Sequence, residues 1–192
     1  MGGEATGEQL VVATQAQMGG ALGREELLRR ILGSPPLISG YSSLDEQLQP
    51  NGFDFSLAEV NRFTGAGALG RANADRVVPD VMRLPFDADG WLTLGPGPYQ
   101  ILLNETVELP RDLMALGRPR SSLCRAGATL GTAVWDAGYR GRSTALLIVE
   151  NGDGFRIQQG ARLLQLVFFS LTAATARGYD GAYLNENLPT SG

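Results

Sequence analysis

The sequence predicts an all-β domain with a short helical N-terminal part. Three observations point there. From Pro50 onward, short apolar segments recur between Gly-, Pro- and Asn-rich turns, the spacing of a sandwich, barrel or jelly roll. The composition agrees: 26 Gly and 10 Pro in 192 residues, with only 19% charged residues, suit a turn-rich β protein better than a helical bundle. Helical signals are confined to the first fifty residues. A hydrophobic content of 43% and this length suffice for one domain with a core.

Taken in order, residues 1–22 are Gly-, Ala- and Gln-rich with one apolar patch, Leu10–Ala13, and read as a flexible extension. Arg24–Leu32 places Leu27, Leu28, Ile31 and Leu32 at helical spacing. Its acids come first and its arginines last, matching the helix dipole. Gly33-Ser34-Pro35-Pro36 stops it. Ser43 and Glu46 fit the capping box of a second short helix. Strands are expected at Phe53–Leu57, Trp91–Leu94, Tyr99–Leu103, Val107–Leu109, Ala145–Val149, Phe155–Ile157 and Leu163–Leu171. Arg62–Val78 has no period and reads as a loop, and Asn151-Gly152 as a hairpin turn between Glu150 and Asp153. The expected division is extension 1–22, β domain 23–177, and a Gly/Asn/Pro-rich tail 178–192 that can serve as a flap.

Absences narrow the chemistry. The chain has no His, which removes Ser-His-Asp and Cys-His catalysis and imidazole zinc sites. It has no Lys, all 16 cationic side chains being Arg, which removes a Walker-type phosphate loop and Schiff-base chemistry. The lone Cys124 allows neither an intrachain disulfide nor a cysteine metal cluster and fits a reducing cytoplasm. A net charge of −4 argues against a general nucleic-acid partner. No apolar run reaches the length of a membrane span, and the N-terminus lacks the pattern of a signal peptide. A cytoplasmic protein with no membrane and no nucleic-acid partner is expected.

Candidate chemistry concentrates in Arg118–Gly141. Arg118, Arg120 and Arg125 with Ser121 and Ser122 can hold a polyphosphate through bidentate arginine contacts and hydroxyl donors, or can be a solvated turn. Asp136, between Trp135 and Ala137, suits a general base, or an Asp bonded to its own turn before Gly138. Tyr139 can pack flat on a sugar or base, or anchor the turn. Gln165 in LLQLVFF either faces inward to a ligand or lies on the outer face. Tyr179 and Tyr183 mark the tail as a flap or as a disordered end.

Together and in this order, PNGFDFSL (50–57), RPRSSL (118–123), VWDAGYRG (134–141), GARLLQLVFF (160–169) and GYDGAY (178–183) resemble the five motifs of the dUTPase and dCTP deaminase superfamily. The resemblance covers about residues 27–185 and is nearest the archaeal-type members. It implies a distorted jelly roll, a homotrimer with active sites shared between subunits, and a Mg²⁺–nucleoside triphosphate substrate. By the same resemblance Asp136 deprotonates the attacking water, Tyr139 packs on the deoxyribose and excludes a 2′-hydroxyl, and Arg120, Ser121, Ser122 and Gln165 hold phosphates. Asp54 supports the water shell of the ion, which the triphosphate oxygens mainly hold. The deaminases carry a catalytic Glu five residues past the last Gly of the third motif. Counted from Gly141 that position is Leu146, which cannot shuttle protons. Hydrolysis of dUTP to dUMP and pyrophosphate is therefore expected ahead of dCTP deamination or a bifunctional enzyme, and ahead of a non-catalytic nucleotide-binding regulator. In the last motif the usual Lys is replaced by Ala182.

Overall fold

The computed structural model describes residues 20–188. Helix α1 (Arg24–Ile31) is followed by strand β1 (Ile38–Ser39), helix α2 (Leu44–Gln47), β2 (Leu48–Gln49) and the long β3 (Gly52–Phe63). After a single 3₁₀ turn come β4 (Val81–Arg83), β5 (Trp91–Leu94), β6 (Gly97–Glu108), β7 (Leu113–Pro119) and helix α3 (Ser121–Arg125). Strands β8 (Ala128–Gly131), β9 (Val134–Trp135), β10 (Arg140–Val149), β11 (Phe155–Gln158) and β12 (Arg162–Ser170) complete the order.

The main sheet runs β8-β10-β6-β3-β12-β7-β9, with β1 added to β6 and β2 and β4 added to β3, while β5 and β11 form a separate pair. It curls around one apolar core as a distorted jelly roll, with Phe53, Phe55, Leu57, Ile101, Leu103, Leu147 and Phe168 buried at its centre. From Tyr99 in β6 and from Gly141 in β10 buried and half-buried residues alternate, as a sheet with one face on the core requires. Helix α1 packs Leu27 and Ile31 against this core, each contributing roughly 1.5–3 kcal/mol. Its Arg30 reaches Asp112, before β7, at 2.8 Å.

Several sequence expectations shift. The strands expected at Tyr99–Leu103 and Val107–Leu109 are one continuous β6. The segment read as a loop from Arg62 begins inside β3 and is partly pinned by an Ala68–Val77 bridge. Asn151-Gly152 closes a turn, with the Gly154 amide donating to the Asn151 carbonyl at 2.9 Å, but not a hairpin. The flanking strands β10 and β11 belong to different sheets. The patch Leu10–Ala13 lies outside the described residues, whereas the last residues of the expected extension are docked. Ala21 bridges Phe169, and the Leu22 amide donates to the Phe168 carbonyl at 2.8 Å.

Candidate active site

Strand register assembles the first group. Gln165 of β12 stands opposite Asp54 of β3 on one side and Arg118 of β7 on the other. Directly opposed residues share a face at about 5 Å, so three of the sequence motifs meet in one row. A bulge in β12 between Arg162 and Leu164 buries Leu163 and Leu164 in succession and takes Arg162 out of the regular alternation. Asp54 is almost completely inaccessible. Its Oδ2 lies 3.0 Å from Arg120 Nε and 3.6 Å from Arg162 Nη1, yet no donor is aligned on it as a hydrogen bond. Burial pushes the Asp54 carboxyl above the ordinary carboxylate value, and the charges of the two arginines act in the opposite direction.

Arg120 is fixed at three points: its backbone amide donates to the Leu163 carbonyl at 2.9 Å, its Nη1 donates to the Arg162 carbonyl at 3.3 Å, and its Nε faces Asp54. It is the N-cap residue of α3, and Ser121 and Ser122 follow as exposed hydroxyls in the first helical turn. The segment is thus strand, cap and helix in its backbone, while Arg118, Ser121, Ser122 and Arg125 are all exposed to solvent. Arg118 is exposed on β7. Arg125 is also exposed, at the far end of α3, and has no charge partner among the described residues.

The second group surrounds a cavity of about 320 Å³ lined by Trp135, Asp136, Tyr139, Ser143, Tyr179 and Glu186, among others. The Tyr139 amide donates to the Asp136 carbonyl at 3.0 Å, which closes the turn through the backbone. The Asp136 side chain is exposed, and none of the hydrogen bonds or ion pairs among the described residues engages it. The alternative of an Asp bonded to its own turn is therefore not realised. Gly138, at φ +87°, makes the bend possible. A Cβ there would lie 2.7 Å from the Gly178 Cα, so the tail runs directly over the turn.

Tyr139 is buried, and its hydroxyl lies 2.9 Å from Ser143 Oγ and 2.7 Å from Glu186 Oε1. Burial pushes the phenol pKa up, so it remains a hydrogen-bond donor at any working pH. Tyr179 packs edge-on against the Tyr139 ring with centroids 5.8 Å apart. Tyr183 stands exposed at the rim with the Arg76 guanidinium 5.8 Å from its ring centre. The described part of the tail is therefore folded onto its own chain.

The two groups do not meet within one chain. Strand β9 pairs with β7 at Ala115–Trp135, which sets Asp136 level with Met114. Arg118 is four residues further along β7, or about 13 Å at strand spacing. The spacing of the motifs revealed neither this separation nor the roles of Arg162, Ser143 and Glu186. Arg162 had a visible signal: a cation leading an otherwise apolar run in the fourth motif. Glu186 had none, because its partner is 47 residues away.

Among the described residues no group of three or more His, Cys, Asp or Glu could hold a metal ion. A resident divalent ion does not fit this donor set, whereas arginines, hydroxyls and an amide fit the oxygens of a polyphosphate.

Fold and site together define a class: a curled antiparallel β protein with an arginine–serine wall and a separate carboxylate–tyrosine pocket. The family follows from comparison with known proteins. The dCTP deaminase-like family model matches residues 21–171, and the chain belongs to that family. A Methanosarcina mazei protein named probable deoxyuridine 5′-triphosphate nucleotidohydrolase is 46% identical over 166 residues, covering 86% of this chain and 97% of its own length. An Archaeoglobus fulgidus protein of the same name is 43% identical over 161 residues, covering 84% and 94%. Among solved structures, the 2′-deoxycytidine 5′-triphosphate deaminase of Agrobacterium tumefaciens superposes with a TM-score of 0.59 at 21% identity. That match covers 79% of this chain and 48% of the deaminase chain, and it shows the shared fold.

Proposed function

We propose that this protein hydrolyses dUTP to dUMP and pyrophosphate, with Asp136 as the general base. The observation that carries the reading is the Asp136 carboxylate, exposed beside the Tyr139 cavity and engaged by none of the described residues. It can accept a proton from water as the water oxygen bonds to phosphorus and the bridging oxygen leaves with pyrophosphate. Tyr139 packs on the deoxyribose. Arg118, Arg120, Ser121, Ser122 and Gln165 hold the phosphates, and arginine charge offsets the charge that grows on the leaving group. Mg²⁺ enters with the triphosphate and supplies further neutralisation when bound. Asp54 acts as the anchor of Arg120 and Arg162 rather than through the ion's water shell, because two guanidiniums already flank its buried oxygen. The names of the archaeal relatives support the same reaction.

The protein works in the cytoplasm as a homotrimer, each site combining the arginine–serine wall of one copy with the Asp136 pocket of another. The separation along β7 supports this, as does Val134, left 49% exposed beside Asp136. Deamination of dCTP is disfavoured. Leu146 sits in β10 opposite Gln100 and Gly131, and Glu150 lies beyond the strand end in the turn.

The test is pyrophosphate release from dUTP, dCTP, UTP and dTTP with Mg²⁺. Release from dUTP is expected, and Asp136→Asn lowers turnover by about 10²–10⁴-fold while keeping nucleotide binding. Ammonia release from dCTP, or full turnover by the variant, would overturn the assignment. Mixing Asp136→Asn with Arg120→Ala subunits should recover activity if sites are shared.

A further inference from the structure

We infer that Glu186, in the C-terminal tail, is a positioning residue that locks the Tyr139 ring and so sets discrimination between deoxyribose and ribose. This rests on the hydrolase reading above and adds a residue to it. A ring excludes a 2′-hydroxyl only if it cannot yield. The Tyr139 hydroxyl is the meeting point of a directed chain of hydrogen bonds. Trp135 Nε1 donates to Ser143 Oγ at 2.7 Å, Ser143 stands 2.9 Å from the Tyr139 hydroxyl, and Tyr139 donates to Glu186 Oε1 at 2.7 Å. With the phenol proton committed to the carboxylate, the Ser143 hydroxyl donates to Tyr139, and the polar end of the ring is held from both sides.

The rest of the tail is built to deliver that carboxylate. Glu186 pairs with Gly141 in a parallel bridge, and the Arg142 amide donates to the Glu186 carbonyl at 3.0 Å. The Asn185 amide donates to the Arg140 carbonyl at 2.7 Å, and Asn187 Nδ2 to the Arg142 carbonyl at 2.8 Å. Asn185 and Asn187 both take positive φ, 62° and 54°, a conformation Asn tolerates better than most residues. Gly141 leaves the space: a Cβ there would stand 2.7 Å from the Tyr139 hydroxyl and 3.1 Å from Glu186 Cγ. The contact thus needs a particular residue on each side of it.

The measured quantity is the ratio of kcat/KM for dUTP to that for UTP. Glu186→Ala is expected to lower this ratio about 10- to 100-fold, the worth of one hydrogen bond to a charged group. Glu186→Gln, whose amide oxygen still accepts from Tyr139, is expected to restore most of it. In a Tyr139→Phe background Glu186→Ala is expected to change the ratio no further, because the coupled partner is gone. A merely structural tail would lower both substrates alike and leave the ratio untouched. That result, or an equal further drop in the Phe background, overturns the proposal. Binding of the non-hydrolysable α,β-imido analogues of dUTP and UTP reads the same discrimination without turnover. A wild-type protein that hydrolyses neither nucleotide overturns the functional reading and this inference together. A wild-type protein selective for dUTP whose Ala variant is equally selective overturns the inference alone.

Discussion

Two buried acids, Glu105 and Asp54, occupy the same sheet and are treated oppositely by the fold. Glu105 points inward from β6 and is completely inaccessible. Its carboxylate accepts from the Ser56 amide at 2.9 Å, the Ser56 hydroxyl at 2.6 Å and Gln47 Nε2 at 2.6 Å. Gln47 in turn accepts from the Ser42 and Ser43 amides and donates to the Asp54 carbonyl. Every donor in the network is neutral and aligned, and the network fastens α2 to β3. Asp54 instead faces two guanidiniums with no aligned donor on its buried oxygen. A satisfied network fixes a fold, whereas a charge held by partly exposed arginines keeps those arginines poised for an outside ligand.

That contrast can be broken most sharply at Glu105. Glu105→Ala leaves the Ser56 amide, the Ser56 hydroxyl and one of the two Gln47 Nε2 hydrogens without acceptors and is expected to destabilise by about 2–4 kcal/mol in urea unfolding. A loss under about 1 kcal/mol would remove the structural assignment. Asp54→Asn should do the reverse: stability changes little, while kcat/KM for dUTP falls about 10- to 100-fold through KM as the arginines lose their anchor. Its Mg²⁺ dependence is expected to match wild type, and a selective weakening of Mg²⁺ activation would return Asp54 to the ion's water shell.

A titration sharpens the comparison further. Burial raises the Glu105 pKa above 4.5, so the folded form binds its proton more tightly than the unfolded chain. Its contribution is then largest below pH 4.5 and declines as pH rises through the raised value, and Glu105→Gln should flatten that decline in the urea midpoint. Glu26 on α1 is held at about 2 by hydrogen bonds from Arg29 and Arg30. Its contribution is present above pH 4.5 and lost as pH falls towards 2, so Glu26→Gln should flatten the acid side instead. The smallest effect belongs to Arg125→Ala, which should change dUTP turnover by less than about twofold, since Arg125 ends α3 away from the row of Asp54, Gln165 and Arg118. A larger loss would bring the end of α3 into the phosphate wall.

Much of the fold was legible. Trp91–Leu94 is a strand with the expected bounds, and Phe155–Ile157 and Leu163–Leu171 agree within a residue. Strand β7 carries no clear local signal because Gly117, Arg118 and Pro119 look like loop chemistry, and only pairing with β12 makes them extended. At Asn151-Gly152 the turn was readable but its partners were not, since local propensity does not say which strand a neighbour will choose. Glu105 lies in the gap between the two strands expected from the sequence, and only the continuous β6 shows that it extends the inward series Tyr99, Ile101 and Leu103.

The β class, the helical start, the five ordered motifs and the absence of a carboxylate at Leu146 are legible in the chain because they depend on residue type and short-range spacing. Folding sets Arg118–Ser122 and Asp136–Tyr139, neighbours in the chain, at opposite ends of β7. Folding also brings Glu186 onto Tyr139. Strand register and the path of the tail place residues by hydrogen bonds between distant segments, and no local pattern records those.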